Sequence, residues 1–393
     1  MKRIFLLLTI LPFVCGCVYD FSADVPEGEA ALVVEGDIVA GGVSKFSISQ
    51  TTPVNSGIRM KEALAIIWVE DSEGGKYGSD KNLVSKAEIS VPYYGGREYR
   101  LRVRDRRNGV VYDYATPWAK PCEAPTLSNL RVEVGKSEVD VLFDAVPDPG
   151  NPYVKWSYTE RWEYSADYNA QYLFVYKNPR KPGDREYYTS VTGGTSPTFY
   201  CWNSGEGIDG VKTAEDGGKV SGAKIAGISR KSKKVQILYN VGLNVCSIPQ
   251  EAYEYFNEVN RASSITGDLF APTPNAIYGN IRDMKDGRTA LVGYVCVLHG
   301  VSTVSKFFYN SELGMYAGDV PDDTKLLFDP EDHLDEDETL DQFYMRGNRP
   351  VRYDVSNIML WSESRCVDCT AETGGGKYAG TKDKPSDWPT EHK

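Results

Sequence analysis

The sequence predicts a mainly β protein: a β-sandwich near the N-terminus, then a larger β-rich domain carrying one docked amphipathic helix. Three observations predict it. The composition is rich in 26 Tyr, 7 Trp, 37 Gly and 21 Pro, residue types that favour pleated surfaces and turns over helices. Short runs of alternating apolar and polar residues recur at roughly 8–12-residue spacing, as in a sandwich. A helical period is sustained over a single stretch.

The first runs are 31–36 and 45–49, separated by Gly41 and Gly42. Residues 63–69 are continuously apolar, which reads as a strand buried on both faces. Asp71 to Gly75 form a turn, 87–91 and 98–103 alternate cleanly, and 110–115 close the set. The sandwich therefore spans 31–118. Three prolines between 117 and 125 mark a boundary, and the second domain covers 125–390. Its strands are read at 130–134, 139–143, 154–158, 172–176, 235–245, 291–295 and 306–309. Residues 203–222 are Gly-rich and polar and read as a surface loop. The helix is placed at 248–262. Ser247 serves as N-cap with Gln250 three residues on, a capping-box pattern, and Pro249 is tolerated in the first turn. Ala252, Tyr255, Phe256 and Val259 then share one apolar face. Residues 319–341 hold eleven acids against one Lys and read as a solvated acidic loop. The last fifteen residues read as a frayed tail. No internal repeat is visible.

The N-terminus predicts export. Lys2 and Arg3 precede an apolar stretch over 4–14, too short to span a bilayer, which takes about 20 residues, but suited to a signal peptide. Val14-Cys15-Gly16-Cys17 resembles a bacterial lipobox. That resemblance implies a leader over 1–16, an acylated Cys17 and a tether over 17–30. Several acyl chains anchor stably where one is marginal. Net charge is −11, and loss of Lys2 and Arg3 takes the remainder to −13. Such a surface repels nucleic acid phosphates and disfavours tight electrostatic attachment to anionic lipid.

Six cysteines then remain: Cys122, Cys201, Cys246, Cys296, Cys366 and Cys369. Export permits disulfides. Cys366-x-x-Cys369 lies among Gly and polar residues, without the βαβ context of a redox site. It reads as structural, bonded within the motif or to Cys201 or Cys246. Structural zinc wants four ligands in paired spacing, and no second pair exists. Of the three histidines, His392 is in the tail, His333 in the acidic loop, and His299 at a strand end as a satisfied edge residue. No G-x-S-x-G elbow is present, and no carboxylate pair stands out. The acidic run from Asp329 to Glu338 has Leu334 where a calcium loop needs Gly. No catalytic residue, cofactor or metal is expected. Trp156, Tyr158, Trp162 and Tyr164 are the candidates for a ligand or partner surface, since rigid aromatics anchor interfaces; their even spacing also fits a core-facing strand.

The second half carries an ordered set of short motifs: Ala252-Tyr253-Glu254-Tyr255-Phe256, Gly267-Asp268-Leu269-Phe270-Ala271-Pro272, Gly279-Asn280-Ile281-Arg282, Gly293-Tyr294-Val295, Cys366-Val367-Asp368-Cys369 and Lys384-Pro385-Ser386-Asp387-Trp388-Pro389. With Leu32 to Gly36 and Cys201-Trp202, this set resembles the lipoprotein family called domain of unknown function 4249. The acidic 319–341 segment departs from it as an insertion. The resemblance implies an outer-membrane lipoprotein, often encoded beside a TonB-dependent transporter. It also implies an immunoglobulin-like or carboxypeptidase-regulatory-like N-terminal sandwich, a second β-rich domain and no known catalytic residues. The expected function is a non-enzymatic accessory or ligand-capture subunit of such a transporter. The competing expectation is an adhesive or fimbrial-type surface lipoprotein.

Overall fold

The computed structural model describes residues 31–51, 60–107, 109–176, 185–191, 194–207, 210–215, 218–265, 277–314, 327–336, 338–370 and 383–390. The first nine strands are β1 (Leu32–Gly36), β2 (Ile38–Val39), β3 (Gly42–Thr51), β4 (Met60–Glu62), β5 (Ile66–Asp71), β6 (Lys76–Gly78), β7 (Lys86–Val91), β8 (Tyr99–Arg107) and β9 (Val110–Ala115). Next come β10 (Cys122–Glu123), β11 (Thr126–Val134), β12 (Glu138–Val146), β13 (Tyr153–Ser165), β14 (Tyr172–Tyr176), β15 (Arg185–Ser190), β16 (Tyr200–Glu206), β17 (Gly210–Thr213), β18 (Val220–Ser229) and β19 (Leu238–Ile248). Helix α1 (Gln250–Ile265) follows, then β20 (Arg282–Asp283), β21 (Val297–His299) and β22 (Ser302–Tyr309). The chain ends with α2 (Leu340–Met345), β23 (Asn348–Tyr353), β24 (Met359–Glu363) and α3 (Ser364–Val367). The protein is mainly β.

The first unit is an immunoglobulin-like sandwich. One sheet has β3 between β1 and β7, with β4 sharing the β7 edge; the other runs β9-β8-β5-β6. This is the ABE against GFCC′ arrangement of that fold. Period-2 alternation sends Phe46, Ile48, Ile67, Val69, Leu101 and Val103 into one core. The apolar run read over 63–69 is buried on both faces only in its second half: Leu64, before β5, is 57% exposed, whereas Trp68 and Glu70, on the outer side of β5, are nearly covered by arginine side chains from β8.

The second unit repeats the order. Sheet β11-β12-β18 faces a sheet in which β22, β19 and β13 run in sequence, with β16 and β17 on the far edge of β13. Val141, Phe143, Val154, Val241, Leu243, Val245 and Phe308 fill its core. Residues 203–222, read as a loop, hold the end of β16, all of β17 and the start of β18. The glycines there are packing devices: a Cβ on Gly207 would overlap the Tyr158 ring, and one on Gly210 the Trp156 ring. Glycine lets a large aromatic lie against bare backbone.

The two sandwiches share chain. The connection between β19 and β22 leaves the second unit, forms α1, and returns through the first. Ile281, Leu291, Val295 and Val297 sit in the first core, so 31–118 does not by itself complete that core. Residues 291–295, expected as a strand, make isolated bridges: Val34 N donates to Val292 O at 2.9 Å and Val292 N to Leu32 O at 3.0 Å. β20 extends the sheet at β9, and β21 pairs in parallel with both β2 and β10.

Helix α1 forms where expected but starts later. Ser247 lies in β19 and its hydroxyl accepts from Asp148 N at 3.0 Å, so it is not spent on the helix. A smaller cluster of Phe174, Phe343, Met359 and Trp361 joins β14 to α2 and β24. The tail expected to fray is docked over 383–390. Trp388 is 4% exposed, its Nε1 donates to Glu163 Oε2 at 2.8 Å, and Arg161 grips both oxygens of Asp387 at 2.7 and 2.8 Å.

Candidate functional site

Two sheet faces that point away from their own cores meet across a cleft of about 1100 Å³. From β3 it receives Val43 and Lys45, the residues that alternate with inward Ser44 and Phe46. From the second sandwich it receives Lys155, Ser157, Asn244, Cys246 and Thr303. Register explains the set: Lys155 lies opposite Cys246, Ser157 opposite Asn244, and Asn244 opposite Thr303. Tyr255, Phe256 and Val259 of α1 line another side, the apolar face read from the sequence.

At the floor lies an ion pair between the sandwiches. Gly36, at φ +130°, turns the chain at the end of β1, where a Cβ would collide with the Lys45 carbonyl. The turn places Asp37 so that Oδ1 accepts from Cys296 N at 2.9 Å and Oδ2 accepts from Lys155 Nζ. The Lys155 ammonium also lies 4.7 Å from the centre of the Phe256 ring. Both side chains are nearly buried. Burial alone lowers a lysine pKa, but the Asp37 carboxylate outweighs it, and Lys155 stays above its ordinary value.

Behind this pair, Cys122, Cys246 and Cys296 pack with Ile248, Ala252 and Leu298. Burial pushes the Cys122 thiol up to about 12 and Cys296 well above its ordinary value. The thiolate is the reactive form, so these thiols are chemically quiet. The cleft thus combines an apolar, aromatic wall with a few polar side chains and one buried charge pair, a composition suited to holding a small molecule.

The four aromatics proposed as a surface do not form one. Trp156 packs inward edge-to-face on Phe143 at 5.3 Å and belongs to the second core, and alone of the four it also lines the cleft. Tyr164 is buried beside Cys201 and Cys369. Tyr158 and Trp162 pack against the second core from its margin, with Lys234 over the Trp162 ring at 4.8 Å. The alternation of β13 turns them onto packed faces, and the glycine edge strands cover two of them.

Of the four disulfide candidates, Cys201 and Cys369 are bonded, across 168 residues of sequence. Cys246 and Cys366 remain buried thiols. The C-x-x-C motif is not closed on itself: Cys369 is taken by Cys201, and Cys366 stays a buried thiol. His299 is the edge residue expected: Nδ1 lies 2.8 Å from Glu123 Oε2 and the ring stacks on Tyr93 at 3.5 Å. His333 packs against Phe328 at 4.5 Å. Part of the acidic segment is structured. Thr339 caps α2 in a capping box with Gln342, while Arg346 takes Asp335 at 2.8 Å and Glu338 at 3.0 Å. Among the described residues no three acids, cysteines or histidines gather into a metal-binding group. Cys17, the leader, the tether, His392 and much of 319–341 lie outside the described residues.

Sequence reasoning missed Asp37 and Lys155. The pair is 118 residues apart, and a lysine alternating with Val154 and Trp156 reads as the solvated side of a strand.

A family model described as Domain of unknown function (DUF4249) matches residues 18–303. No curated protein matches. Among solved structures, a two fibronectin type-III domain segment from chicken tenascin is similar at 11% identity over 56% of this chain and 92% of that one, with a TM-score of 0.15.

Proposed function

We propose, for a chain that belongs to the DUF4249 family of domains of unknown function, a non-enzymatic ligand-capture role as an outer-membrane lipoprotein beside a TonB-dependent transporter. The observation that carries the capture role is the cleft between the sandwiches, about 1100 Å³ in volume. That is slightly above the roughly 300–1,000 Å³ typical of ligand sites. Its walls come from strands of both units, from α1 and from the returning segment around Val292 to Tyr294. The buried Lys155–Asp37 pair supplies a fixed polar point within an apolar surface. The lipobox-like Cys17 supports attachment to the membrane, and the transporter partnership rests on the family resemblance.

The test is affinity purification of the tagged native protein from outer membranes in mild detergent. Mass spectrometry identifies partners, and native mass spectrometry reads any bound small molecule. A near-stoichiometric TonB-dependent barrel is expected, together with a ligand whose occupancy falls at least about tenfold (about 1.4 kcal/mol) in Val301→Trp. Val301 lines the cleft but is not core, so a larger side chain there fills space without unpacking the fold. Recovery with copies of itself or with other sandwich subunits would overturn the reading in favour of an adhesive surface protein.

A further inference from the structure

The chain carries a net −11, yet one broad face is basic. On the sheet that runs β20-β9-β8-β5-β6, register sorts the residues into two sides. Tyr99, Leu101, Val103 and Tyr114 point into the core. Lys76, Arg100, Arg102, Arg104, Arg106 and Arg282 fall on the other side, as do Glu70 and Asp113. Among the described residues of these strands, six cations stand against two carboxylates. Glu70 is shared by Arg100 and Arg102, at 2.6 and 3.1 Å, and Asp113 holds Arg104 at 2.8 Å. Lys76, Arg106 and Arg282 are exposed and form no ion pair with a described residue. The inner arginines are held rigid by aromatics: Arg102 lies 5.0 Å and Arg104 5.4 Å from the Trp68 ring, and Arg100 4.3 Å from Trp118. The paired arginines are therefore fixed in place on an ordered sheet, and the surplus is the three exposed cations around them.

Apolar groups stand beside these charges. Trp118 is 37% exposed at one edge of the face, and Val111, opposite Arg106 on the same side, is 52% exposed at the β8–β9 hairpin. Exposed apolar residues flanked by arginine, with a Trp at the rim, are what a lipid–water interface accommodates. A purely acidic protein surface would satisfy the arginines but leave Val111 and Trp118 unexplained.

We propose that this face docks the protein on an anionic, phosphate-bearing lipid surface. Local charge decides short-range attraction, because beyond a Debye length of about 8 Å the acidic remainder of the chain is screened. The contact does not require an acyl anchor.

The test is flotation of the chain from residue 17, with Cys17→Ser so that no acyl chain contributes, on phosphatidylcholine vesicles with and without about one-third phosphatidylglycerol. Binding is expected on the anionic vesicles only, and is lost in about 0.5 M salt. Neutralising the unpaired cations together (Lys76→Gln, Arg106→Gln, Arg282→Gln) should weaken partition on the order of 100-fold, at about tenfold or less per charge. An unchanged thermal midpoint then attributes the loss to docking rather than to unfolding. Millimolar inorganic phosphate should not compete, since a single ion meets only part of the array. Equal binding to neutral vesicles, no binding to anionic ones, full binding by the triple variant, or displacement by free phosphate would each overturn the proposal.

Discussion

At the scale of single residues, the junction turns on Asp37 and Lys155. Each charge is withdrawn from water and answered mainly by the other. Removing one partner of such a pair strands the other, which costs more than the pair contributes. Lys155→Met should therefore lower stability by about 3 kcal/mol in urea denaturation, with part of that recovered when Asp37→Asn is added. A single-variant cost below about 1 kcal/mol would show that water reaches the floor of the cleft. Gly293 makes a related demand. At φ +114° it presses against Val34, whose carbonyl a Cβ would strike. Gly293→Ala should separate the returning segment from β1 and destabilise by more than the usual surface change of about 0.5 kcal/mol, measured by thermal unfolding. The glycine is visible in sequence as part of a motif, but its reason is a neighbour some 260 residues away and is not.

At the scale of elements, Cys201 and Cys369 tie β16 to the segment after α3. Closing so long a loop removes at most about 5 kcal/mol of unfolded-chain entropy on the loop model. Cys201→Ser should speed proteolysis between residues 327 and 370 while leaving a protected fragment that contains both sandwiches. If the protease removes the first sandwich equally fast, the disulfide is holding the whole molecule rather than its C-terminal part. The elements themselves were unevenly legible. Helix α1 was visible because Ala252, Tyr255, Phe256 and Val259 repeat at helical spacing, and that face does pack into the junction. The edge strands β16 and β17 were hidden, because glycines that admit Tyr158 and Trp156 look like loop residues until the rings are seen.

At the scale of the whole molecule, two sandwiches with one strand order are stitched by a connection that belongs to the second and fills the first. Each also carries a carboxylate held near a pKa of about 2. Burial pushes the Asp71 carboxyl up, but the Tyr77 hydroxyl, the Gly75 and Glu73 amides and Arg97 outweigh it. For Asp144, burial is likewise outweighed by the Gly222 amide, Asn129 and Arg131. A carboxylate whose folded pKa is depressed contributes stability above its unfolded pKa and loses it as pH falls through the folded value. Stability should therefore hold down to about pH 4 and drop between about pH 4 and pH 2. Asp71→Asn should cost about 2 kcal/mol at pH 7 and flatten that slope. Urea midpoints taken across the range decide it, and an equally steep drop in the variant would move the cause elsewhere.

The sequence by itself determined the β character, most strands of the first sandwich, the position of the helix and the family, because alternation, helical period and ordered short motifs are local and survive in one dimension. Tertiary structure alone decided the rest. The repeated strand order left no repeat in sequence, since a core constrains which side a residue faces more than which apolar residue it is. The pairing of Cys201 with Cys369, the burial of the β13 aromatics and the cleft around Asp37 and Lys155 depend on which distant faces meet. That is set by the summed packing of both sandwiches, not by any run of neighbours.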